Sequence, residues 1–132
     1  MNISDIPKGA GQRPAFFGGI MYKYIPIQKE LIPYSFDIVL DNKTYTFEVK
    51  YNVIGDFFTV DLMRDSKIII VGEKIVYGRA LFLNARHLGV PNLPIIPYDL
   101  ALNTDRITYD NLNETVFLWL MEGDNTDDIL GT

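Results

Sequence analysis

The stretch KTYTFEVKYN, residues 43–52, sets Tyr45, Phe47, Val49 and Tyr51 on one parity and Thr44, Thr46, Glu48 and Lys50 on the other. A helix repeats its apolar face about every 3.6 residues, so a strict period of two describes a strand with one buried face and one wet face. The aromatic and β-branched side chains in it suit a pleated surface. The neighbouring runs repeat the pattern. YSFDIVL places Phe36, Ile38 and Leu40 on one side, and DFFTVDL places Phe58, Val60 and Leu62 opposite Thr59 and Asp61. Asp41-Asn42 and the Arg64-Asp65-Ser66 segment fall between runs, and these residue types accept the backbone of tight turns. KIIIVGEKIVY follows, with Ile68 to Val71 unbroken, which predicts a strand covered on both faces. Gly72 within that run predicts a bulge or bend.

Consecutive strands joined by short turns make an antiparallel meander. The expected fold class is therefore all-β, a small antiparallel barrel or sandwich. At 132 residues, 48% of them apolar, the chain is long enough for one domain with a real core. Three segments are expected: an irregular N-terminal arm over 1–21, the β domain over 22–121, and an acidic tail over 122–132. The arm is assigned from its mixed glycines and prolines. The tail carries Glu122, Asp124, Asp127 and Asp128 with no base. After Gly78 the pattern thins. FLNARHLG fits one helical turn stopped by Gly89. Pro91, Pro94 and Pro97 forbid a central strand and predict an extended crossing. RITYD fits a short strand, and TVFLWLM a final strand deep in the core or at a subunit contact.

The formal net charge is −5, and the body from Tyr22 to Met121 is nearly balanced. A nucleic-acid surface needs excess Lys and Arg, so that partner is not expected. No apolar run reaches the roughly 18 residues that span a bilayer, so no membrane insertion is expected. Nothing at the N-terminus has the layout of a signal peptide, which predicts synthesis in the cytoplasm. With 0 Cys, thiolate chemistry and disulfides are absent.

His87 is the one histidine and has no local Asp or Ser partner, so it reads as structural. Asp56, Asp61 and Asp65 raise the idea of paired carboxylates for glycoside hydrolysis. Asp61 lies on the polar parity and the other two at turns, so all three read as structural. EGDNTDD is acidic without the spacing of a calcium loop. No catalytic, cofactor or metal residue is assigned. Phe16, Phe17 and Ile20 are conspicuous in the arm: they either fold back on their own domain or dock on a neighbour. Gly78 ends the strand before it, and Arg79 is expected to pin the proline-rich crossing through a carboxylate or backbone carbonyls, with a partner contact as the alternative.

The order YIPIQKELIPYSFDIVLDNKTYTFEVKYN, DFFTVDLMRD, GEKIVYGRALF, NETVFLWL resembles a family of small phage tail proteins typified by the baseplate plug of a cyanophage with a contractile tail. The resemblance runs from about Tyr24 to Leu120. Its signature positions here are Asp56, Phe58, Asp61, Gly72, Tyr77, Gly78 and Arg79. It implies a non-enzymatic virion protein that plugs or narrows the distal tail tube. The implied partners are hub and tube proteins, with tape measure or spike as further neighbours, and copies set around a threefold or quasi-sixfold axis. The alternative from the residues alone is a small carbohydrate- or ligand-binding β domain serving as a receptor-binding accessory.

Overall fold

The turn residues between the alternating runs decide the first sheet. Asp41 and Asn42 both take positive φ, at 54° and 61°, and Asp65 and Ser66 do the same at 54° and 64°. Two consecutive left-handed residues give the turn whose twist matches antiparallel strands. In a computed structural model, which describes residues 11–121, β3 (Tyr34–Leu40), β4 (Lys43–Asn52), β5 (Phe57–Arg64) and β6 (Lys67–Lys74) follow one another as a meander. Registers match the predicted parity: Phe36 lies across from Phe47, Phe47 from Leu62, Val49 from Val60 and Tyr51 from Phe58.

The second sheet joins sequence-distant pieces. β1 (Arg13–Phe17), β2 (Ile20–Ile25), β7 (Ile95–Tyr98) and β8 (Phe117–Leu120) lie in the order β1-β2-β8-β7, all antiparallel. Ile25, Ile95, Leu118 and Leu120 face the first sheet and share one buried cluster with Phe36, Phe47, Phe58 and Leu62. The result is a sandwich of two four-stranded sheets, without closure into a barrel. The outer face of the second sheet holds a smaller cluster of Tyr22, Ile96, Trp119 and Met121, with Tyr24, Tyr98 and Phe117 against it. Trp119 meets Tyr22 edge-on at 5.8 Å and Tyr24 at 5.6 Å. β8 is thus apolar on both faces, which explains why TVFLWLM shows no alternation.

Three expectations change. Residues 13–19, assigned to an irregular arm, form β1 and its hairpin turn, because β2 offers β1 a ladder of backbone partners. β6 is an edge strand instead of one covered twice, and Ile68 and Val71 stand 67% and 68% exposed. RITYD is a bend and turn without strand pairing. The proline-rich crossing is extended and holds no central strand, as predicted, and it adds β7 at the sheet edge, where Pro97 costs no ladder bond on its outer side. The segment after Phe82 forms a 3-10 turn, Leu83–Leu88, capped by Gly89 as predicted. The acidic tail and residues 1–10 lie outside the described residues.

Candidate functional site

Most of the signature side chains fasten the molecule's own backbone. Asp61 leaves the core parity of β5 and is nonetheless buried. One carboxylate oxygen accepts the Gly72 N–H at 2.8 Å, and the other meets the Lys50 ammonium at 3.0 Å. Gly72 has φ 74°, and the β5–β6 register slips by one residue there. The expected bulge is real, and Asp61 holds the donor it frees. Its partner Lys50 is held above the usual ammonium range, chiefly by that hydrogen bond.

Asp56 performs a longer-range fastening. It ends the β4–β5 turn at φ 54°. Its Oδ1 accepts the Tyr51 hydroxyl at 2.6 Å and the Tyr109 N–H at 2.9 Å, and Arg106 lies 3.7 Å from Oδ2. These bonds, Tyr51's first, hold the Asp56 carboxyl below the usual carboxylate range, and the same bond pushes the Tyr51 phenol up to about 12. Tyr51 also lies 4.8 Å from the fully buried Phe58 ring and 5.0 Å from Tyr109. One carboxylate thereby ties a turn of the first sheet to the loop leading into β8.

Tyr77 stacks on Tyr98 at 5.3 Å, and its hydroxyl oxygen accepts the Asp99 N–H at 3.1 Å. Gly78 donates its N–H to Pro97 O at 2.7 Å and Leu81 to Ile95 O at 2.9 Å. Glu73 accepts the Phe82 N–H at 2.9 Å. These backbone donors pin the crossing. Arg79 does not: its side chain is exposed and makes no hydrogen bond or ion pair among the described residues. A guanidinium is easily hydrated, and the Ile95 and Pro97 carbonyls of the crossing are already paired with main-chain N–H groups.

Several fastenings gave no clear signal in sequence. Asp99 is buried, and its carboxylate accepts the N–H groups of Ala101, Asn103 and Thr104 together with the Thr104 hydroxyl. Burial pushes this carboxyl up, but the four hydrogen bonds outweigh it and hold it below its ordinary value. The Asp-to-Thr spacing in DLALNT was the available cue. Lys29 reaches Tyr109 O at 2.7 Å, and Asn113 accepts the Ile27 N–H at 3.2 Å. Neither is predictable without the tertiary fold.

The surface features are of two kinds. A cleft of about 270 Å³ lies between Asp56, Phe57, Lys74, Tyr77, Asp105 and Arg106; its lining holds no Ser or His, and Lys74 is drawn over the Phe57 ring at 4.5 Å. Among the described residues no three His, Cys, Asp or Glu side chains gather as a metal site. His87 is exposed in the 3-10 turn. The second kind is apolar. Phe16 is 74% exposed and lies across β1–β2 from the exposed Met21. Phe17 and Ile20 pair through their backbones at the hairpin end, and their side chains lie outside what is described.

In this sandwich Asp56, Asp61, Glu73 and Asp99 accept hydrogen bonds from its own backbone, and apolar side chains are left exposed at its edges. The chain belongs to the family described as cyanophage baseplate Pam3 plug gp18, whose family model matches residues 22–123. It is accordingly a phage baseplate protein of a structural family, located in the virion tail. No curated protein matches it.

Proposed function

We propose that the protein is a non-enzymatic plug that closes or narrows the distal end of the tail tube, held by contacts to hub and tube proteins. Copies arranged about the threefold or quasi-sixfold tail axis fit this role. The observation that best supports docking is the β1–β2 hairpin, which carries a largely exposed phenylalanine on a paired strand. An aromatic presented on a rigid strand loses little side-chain freedom on binding, so its burial is available to a partner. The hairpin turn precedes the segment matched by the family model, so partner choice by this chain would reside outside the shared body. The test is a phage carrying Phe16→Asp. The purified variant should keep its thermal stability within about 0.5 kcal/mol, since the side chain is exposed. Its copy number per tail should fall, with density missing from the tube tip in electron micrographs. Normal incorporation would remove the hairpin from the docking role.

A further inference from the structure

The two sheets end differently. In the second, the outer side of β7 is already closed, because Ile95 O and Pro97 O accept the Leu81 and Gly78 N–H groups, and Pro14 deprives β1 of one donor. In the first, β3 and β6 are the edges. Among the described residues neither edge takes a backbone hydrogen bond from outside its sheet, and an exposed 3.3 Å bond from the Gln12 side chain reaches Val39 O. The outer face of this sheet is mostly polar on its two central strands, through Thr44, Thr46, Glu48, Lys50 and Thr59. Its margins are apolar. Val39 on β3 is 54% exposed, and Ile68 and Val71 on β6 are more so.

We propose that copies of the chain join edge to edge, β6 of one against β3 of the next, so that the meander continues between copies as one antiparallel sheet closed around the tail axis. The contact rests on the shared rotation axis proposed above. Successive strands of a meander alternate in direction, so β3 and β6 run oppositely. Rotation about an axis along the strands keeps every direction and sets β6 of one copy antiparallel to β3 of the next. The added ladder satisfies the backbone groups of both edges and brings the exposed aliphatics of the two margins together.

Charge favours this pairing of unlike edges. Lys67 and Lys74 end β6, Lys74 lying over the Phe57 ring, and Glu73 is taken up by the Phe82 N–H. β3 carries Asp37, which accepts the Thr46 hydroxyl. Asp37, Lys67 and Lys74 form no ion pair among the described residues. Antiparallel pairing of β6 with its own copy in full overlap sets Lys67 opposite Lys74, and the same pairing of β3 sets Asp37 opposite Asp37. Like charges directly opposite are unfavourable, and β6 against β3 avoids both.

The chain has 0 Cys, so introduced cysteines report the contact without background. Within one copy β3 and β6 lie three strand spacings apart, about 14 Å, which is too far for a disulfide. Any bond between them therefore joins two copies. Val39→Cys/Ile68→Cys and Val39→Cys/Val71→Cys are oxidised in assembled tails and read on non-reducing gels. At least one pair should move most of the protein from monomer to trimer or hexamer. Each single variant should stay monomeric, since a head-to-tail contact never sets an edge against itself. Tails that hold the protein with both pairs still monomeric, single variants that form dimers, or a ladder running past six would each overturn the proposal. Absence of the protein from tails would overturn the plug reading instead. Oxidation of the purified double variants at high concentration then decides the contact, linked trimers or hexamers supporting it and monomer overturning it.

Discussion

At the scale of single residues, Asp56, Asp61 and Asp99 share one role. Each accepts at least one backbone N–H from a turn, loop or bulge. Asp99 is the most heavily used, and Asp99→Ala would leave three loop N–H groups without their acceptor. A loss of about 2 kcal/mol in denaturant unfolding is expected, since a donor left unpaired costs roughly 1–3 kcal/mol and partial hydration relieves some of it. Tyr51 gives a test in alkali. Its phenol is raised from 10.0 to about 12 in the fold, so the protonated, hydrogen-bonded form is the stabilised one. Its contribution is complete below pH 10 and disappears as pH rises towards 12. Thermal unfolding over that range should show a steeper loss for wild type than for Tyr51→Phe. Lys50, raised by its bond to Asp61, and Tyr34 and Tyr77, raised by burial, contribute to the slope that remains in the variant.

At the scale of elements, legibility follows from whether a segment has one wet face. β3, β4 and β5 could be read residue by residue, including the turn at Asp41-Asn42, because burial on one side imposes alternation. β1 and β2 were obscured by composition: prolines and glycines suggested an arm, while Gly18-Gly19 was in fact the hairpin turn, with both φ positive at 60° and 82°. β6 misled in the opposite direction. Four consecutive aliphatics normally mean two covered faces, yet here they lie on an open edge, shielded by a lysine at each end and twisted by the bulge at Gly72. Ile68→Lys should therefore leave folding stability within about 0.5 kcal/mol of wild type. It should also raise solubility in a precipitation assay, because it blunts an edge that invites pairing. The anchoring site at Asp56 was half legible. Its place at a turn could be read, but its partners Tyr109 and Arg106 come from a loop about fifty positions later, which no local pattern reports.

At the scale of the molecule, the two sheets differ in how they draw on the chain. The first is a continuous run from Tyr34 to Lys74, and the second brings segments on either side of it together around β8. Contacts so distant in sequence carry the loop-closure cost that slows β proteins. On the ribosome the meander emerges well before β8 does. Until residue 120 is available, β2 and β7 have no strand between them, and the inner face of the meander has nothing to bury it. A polypeptide broken off short of that point would thus expose its core to chaperones and proteases instead of entering a growing tail. The placement of β8 at the centre of its sheet makes completeness of this strand a condition of assembly.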